Sequence, residues 1–96
     1  MGLPVSQVSV HDEVEEAGGW RYRVLVGADE RPCEVRLSWV DYEHWARGVY
    51  PPARVVEALV RFLIDRDGEG SVRPRFDAAS VRRMHPTVDT ELPAML

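Results

Sequence analysis

The sequence predicts an α+β fold: a three-stranded antiparallel meander followed by three helices packed on one face. Three observations carry this. Apolar and polar side chains alternate in twos through residues 5–39, with turn signals between the runs. A helical period replaces that alternation over 52–66. All strand-like segments precede the long helix, the order expected when helices segregate to one face of an antiparallel sheet. The 96 residues form a single domain, with strands at about 5–16, 20–27 and 33–39 and helices at about 39–47, 52–66 and 78–84.

In the first strand Val8, Val10 and Val14 share one face, and Gln7, Ser9, His11, Glu13 and Glu15 the other. The following Ala17-Gly18-Gly19 is a turn signal. Trp20, Tyr22, Val24 and Val26 then alternate with Arg21, Arg23 and Leu25, and Cys33, Val35, Leu37 and Trp39 alternate with Glu34, Arg36 and Ser38. This is a meander with one wet face, on which one register sets Arg23 opposite Glu34. Asp12 falls on the apolar side of strand one. Either a bulge rotates it outward, or it is an inward charge that discourages edge pairing.

Residues 38–48 read as a short helix, with Ser38 as N-cap and Gly48 as its stop. Trp39, Tyr42 and Trp45 recur along it as core packing, or as a pocket for a flat ligand, with core packing the expected reading. Pro52 opens the second helix and Asp67-Gly68 ends it. Phe62, Val55, Leu59, Leu63, Val56, Val60 and Ile64 cover an arc of roughly 200° on it, about twice an ordinary amphipathic stripe. Glu57, Arg61, Arg54 and Asp65 fill the rest, with Glu57 and Arg61 in the favoured order for an ion pair. A sheet covers only part of such an arc, so the C-terminal segment or a second subunit must cover the remainder. Asp77 N-caps a third helix, whose Phe76, Ala78, Val81 and Met84 are placed to dock on the second. Val88, Leu92, Met95 and Leu96 add a last turn or dock on a neighbour.

The order "WRYRVLV", "PPARVVEALVRFLIDRDG", "FDAASVRRMHP" resembles small uncharacterised bacterial α+β proteins of about this length, over about residues 20–86. They share a strand pair, a long apolar helix and a short Phe-Asp helix stopped by Pro. The resemblance implies a fold and no activity, and it carries no functional residue over.

Composition narrows the function. The formal net charge is −4, which argues against nucleic-acid binding by the domain as a whole. Residues 1–48 carry nine acids and five arginines, and residues 49–96 seven of each, so any basic patch is local. All twelve basic residues are arginine. The arginine fork suits phosphate, but the arginines are scattered, as coding bias in a GC-rich genome would leave them. Without lysine, a lysine Schiff base and a P-loop are both excluded. Cys33 is the single cysteine, so no intrachain disulfide forms. There is no signal peptide and no span-length apolar run, so the protein is expected in the cytoplasm and off the membrane.

No metal-ligand spacing links His11, His44 and His85, and none of Ser6, Ser9, Ser71 and Ser80 sits in a nucleophile elbow. No cofactor is expected. The leading expectation is a non-enzymatic protein-binding or self-associating module. It would be a homodimer, or bind another protein, through Val56, Val60, Ile64, Leu92, Met95 and Leu96. The alternative is a weak nucleic-acid-binding regulator using Arg73, Arg75, Arg82 and Arg83, set against a plainer reading of that stretch as a solvated helix face. A small enzyme acting through Asp12, Cys33 or His44 ranks last, because no second catalytic group can be named.

Overall fold

The computed structural model describes residues 7–96, so Val5 and Ser6 of the expected first strand lie outside the described residues. Three strands, β1 (Val8–Glu16), β2 (Gly19–Val26) and β3 (Arg31–Ser38), form the antiparallel meander. Two helices follow, α1 (Trp39–Ala46) and α2 (Pro52–Asp67), then a 3-10 turn (Glu69–Ser71). The chain continues into β4 (Arg75–Asp77), α3 (Ala78–Met84) and α4 (Val88–Met95). The fold is α+β, with a four-stranded mixed sheet of order β1-β2-β3-β4 and four helices among the described residues.

Two elements correct the sequence reading. The segment expected only to lead into the third helix is a short strand, β4, parallel to β3. A parallel partner needs a crossover connection, which α1 and α2 supply. Three residues are too few for an alternation signal, so Arg75-Phe76-Asp77 was not legible as a strand. The tail, in turn, is a full eight-residue helix, α4, despite Pro93 inside it.

Within β1 the register slips between His11 and Val14, and Asp12 stands at φ 55°, in the left-handed region. This bulge places two residues opposite one and turns every later side chain to the other face. Val14 therefore pairs with Arg21 on the wet face and is 40% exposed, not in the core with Val8 and Val10. Glu13 takes its place on the inner side and accepts a hydrogen bond from the Tyr22 hydroxyl. Burial, with Glu13 beside it, pushes the Tyr22 phenol well above its usual value.

The caps match their residues. The Ser38 hydroxyl accepts from the Asp41 amide at 3.1 Å, and the Asp77 carboxylate accepts from the Ser80 amide at 3.2 Å. Pro52 begins α2, and Gly68 closes it at φ 87°. The Arg61 guanidinium reaches Glu57 at 3.3 Å, as the spacing predicts.

The core is Trp20, Tyr22, Val24 and Val26 of β2 and Cys33, Val35 and Leu37 of β3, packed on α2. All seven residues of the predicted α2 arc are buried, and Ala58 widens the arc to roughly 240° at 100° per residue. Strands β1 to β3, α1 and α4 all pack against α2, so the arc is covered within one chain. Leu92 and Val88 of α4 are fully buried. Met84, expected to dock on α2, is 64% exposed, because α3 packs instead on β3 and α4.

Leu92→Ala should therefore lower unfolding free energy by about 2–5 kcal/mol, a large part of a small domain's stability. Val14→Thr on the wet face should change it by about 0.5 kcal/mol or less. Equilibrium urea unfolding of both variants checks the pair. Equal losses would contradict the placement of the tail and of the bulge.

Candidate functional site

The residues singled out from sequence do not converge. Val56, Val60 and Leu92 have no exposed surface, Ile64 is 8% exposed, and Met95 and Leu96 pack partly against the core. These six contribute to the single chain's interior. The four arginines separate as well. Arg75 lies on the wet face of the sheet, 3.3 Å from Glu34. Arg82 turns inward between α1, α3 and α4, where a solvated position was expected. Arg83 is exposed, and Arg73 borders a cavity on the far side of α3.

Asp12, Cys33 and His44 are likewise apart. Asp12 sits at the bulge with Arg23 at 4.0 Å. Cys33 is buried at 3% exposure, and burial pushes its thiol up. His44 lies on the outer side of α1, 3.6 Å from Asp89. Among the described residues no group of His, Cys, Asp and Glu is arranged to hold a metal ion. No described helix is long and apolar enough to cross a membrane.

The wet face of the sheet is a charge lattice. Arg21 reaches Glu16 at 3.1 Å and Glu34 at 3.2 Å, and Arg36 lies 3.9 Å from Glu16. Arg23 is opposite Glu34 in register, as expected, but pairs with Asp12. Acids and arginines alternate across this face, so it presents no net positive field to a polyanion.

The best-built polar cluster was not foreseen. The Arg82 guanidinium donates two bonds to Asp89, at 2.9 and 3.0 Å, and a third to Asp41 at 2.8 Å. Asp41, 4% exposed, also accepts from the Ser38 hydroxyl at 3.0 Å. The Trp45 indole N–H donates to Asp89 at 2.9 Å, and Arg82 lies over the Trp45 ring at 5.9 Å. A bidentate arginine–carboxylate pair is among the strongest hydrogen-bonded contacts. The Arg82 guanidinium holds the Asp89 carboxyl below its ordinary value, and the two carboxylates raise Arg82. With Arg82 gripping both acids, neither stands free as a general base. The cluster clasps three short helices together. Asp41 is 41 positions from Arg82, which is seven from Asp89, so only tertiary contact reveals the cluster.

One surface stands out by exposure. Trp39 is 51% exposed and Val40 73% at the start of α1, and Val49 is 73% and Tyr50 37% exposed just after it. The Trp39 ring leans on Trp20 at 4.5 Å and meets Tyr42 at 6.1 Å. The Tyr42 hydroxyl in turn donates to the Tyr50 carbonyl at 2.5 Å, tying the loop to the helix. Trp39 was expected on the core face. It begins the helix rather than ending the strand, and that turns its ring to the surface. The signal available in sequence was Val40, apolar and on the opposite side of α1 from Tyr42 and Trp45.

Comparison with family models, curated proteins and solved structures gave no match.

The clasp has a signed pH consequence. Asp89 keeps its charge in the fold at a pH where an unfolded aspartate, near 3.8, has begun to protonate. The folded state then binds fewer protons, so this stabilisation is complete above that value and is lost as pH falls through the lower folded one. Arg82→Met should cost about 1–3 kcal/mol at pH 7, less than a fully buried pair, because Arg82 keeps some solvent contact. The gap from wild type should close as pH falls from about 5 to about 2. Urea unfolding across that range checks it; a constant gap contradicts the role of Asp89.

Proposed function

We propose that this protein is a non-enzymatic, self-associating module whose contact surface is the exposed apolar patch at the start and end of α1. The observation that carries the reading is the exposure of Trp39, Val40, Val49 and Tyr50 around one short helix. Large contiguous apolar exposure marks interaction sites, and tryptophan and tyrosine are enriched among the anchors of such sites.

A second copy fits this surface by charge. Glu43 on α1 and Arg47 at its C-cap, both exposed, flank the patch. A two-fold contact is self-complementary by symmetry. It would set Glu43 of each copy beside Arg47 of the other while the apolar groups met at the centre. Of the six residues first expected to form an interface, Val56, Val60, Ile64 and Leu92 are buried within the chain and Met95 and Leu96 are half-buried at the end of α4, so they do not carry this reading. Nor does the spread of Arg73, Arg75, Arg82 and Arg83 over separate surfaces support nucleic-acid recognition, which draws on clustered positive charge.

Analytical ultracentrifugation from about 10 to about 500 μM is expected to show reversible association with Kd on the order of 10–100 μM, the range of a small, transient interface. Val40→Asp should abolish it and leave the thermal midpoint nearly unchanged, because Val40 is a surface residue. A strictly monomeric wild type at the highest concentration would refute self-association. Association unaffected by Val40→Asp would refute the surface.

A further inference from the structure

A second site lies away from α1, in the cavity between the end of α2 and α3. Its volume is about 250 Å³. Leu63, Phe76, Val81 and Met84 give it an apolar lining, and Asp67, Ser71, Arg73, Ser80 and His85 supply the polar groups. Leu63 and Val81 are buried, Phe76 is half-buried, and Met84 is 64% exposed at the margin. An unbranched thioether there can adapt to the shape of a guest.

The polar groups are unequal. The Ser71 hydroxyl donates to the Gly68 carbonyl at 2.6 Å, and the Ser80 hydroxyl to the Asp77 carbonyl at 2.7 Å, so both protons are engaged. Asp67 lies 3.6 Å from His85. Arg73 is exposed and has no ion pair or hydrogen bond among the described residues. This sets it apart from its neighbours Arg75 and Arg82, which are held by carboxylates. A guanidinium at the mouth of an apolar cavity is suited to a planar anion taken by two parallel hydrogen bonds.

From this juxtaposition we infer that the cavity binds a small apolar monocarboxylate. The apolar body lies against Leu63, Phe76, Val81 and Met84, and the carboxylate faces Arg73. The lining argues against a phosphate ester or another dianion. Among the described lining residues there is one unpaired cation, Arg73, with Asp67 set against His85 at 3.6 Å, and the apolar wall would strip water from a larger polar group without replacing its hydrogen bonds. Few small-molecule sites are smaller than this one, so the guest has one ring or a short branched chain. Its Kd is on the order of 1 mM for a ligand of about ten heavy atoms.

The test is a 1H–15N NMR titration of the full chain with 3-phenylpropionate, beside its neutral counterpart 3-phenylpropanol. The acid should saturate shifts at the amides of Ser71, Phe76, Ser80, Met84 and His85, and the alcohol should bind about tenfold more weakly. Arg73→Ala, which removes no ion pair or hydrogen bond among the described residues, should keep the wild-type spectrum elsewhere and weaken the acid about tenfold, to the level of the alcohol. Arg73→Lys should restore part of the loss. Equal affinity for acid and alcohol, or indifference to Arg73→Ala, would overturn the assignment. So would the absence of saturable shifts at these amides up to about 20 mM, well above the expected Kd.

Discussion

The apolar arc of α2 is the constraint on which the rest of the structure depends. An amphipathic helix on a sheet ordinarily buries a stripe of about 100°. Here eight residues from Val55 to Ile64 are buried around more than half the circumference. One sheet face cannot cover that, so the chain must return along α2 after leaving it. The return explains the tail: α4 brings Val88 and Leu92 to zero exposure, closing the arc without a second subunit. Each side chain of this size contributes about 1.5–3 kcal/mol on burial, offset by the entropy of ordering the segments that bury it.

That return leaves a secondary problem, which the Arg82 clasp resolves. Helices α1, α3 and α4 span only eight, seven and eight residues. Helices so short do not hold themselves in water, and each depends on what it packs against. Arg82 on α3 bonds to Asp41 on α1 and to Asp89 on α4. A charged group taken partly out of water and held by two carboxylates adds little net stability compared with an apolar core. It does penalise any arrangement of the three helices that leaves one member unpaired. Hydrophobic burial drives the tail onto α2, and the clasp selects the angle at which it lies.

Much of this architecture was legible, because it rests on local periodicity. The three meander strands, the α2 boundaries at Pro52 and Asp67-Gly68, and the caps Ser38 and Asp77 all follow from residue type and spacing. What was not legible depends on contacts between distant residues. The parallel strand β4 is three residues long and exists only because β3 offers it an edge. The reversal of Val14 follows from a bulge, and a strand sequence with an acid on its apolar side marks where the bulge falls but not how it resolves. The width of the α2 arc was legible, but its covering stayed open between the C-terminal segment and a second subunit: sequence cannot distinguish a tail that folds back from a partner that docks. The arginines were the least legible, since Arg73, Arg75, Arg82 and Arg83 are neighbours in sequence but diverge to different surfaces.

The exposed aromatics need the same discrimination between local and tertiary causes. Trp39 by itself says little about binding, because its ring leans on Trp20 and so shields part of the core edge. Tyr50 has a structural role too, since its carbonyl receives the Tyr42 hydroxyl. Val40 and Val49 have no such duty. Each is 73% exposed, and each could be polar at no cost to the packing. Single exposed apolar residues are ordinary. Two of them lying between two part-exposed aromatics, Trp39 and Tyr50, on one short helix and its loop form a surface that internal packing does not account for. The reading of α1 as a contact surface therefore rests on the valines, the residues with least to do inside the fold.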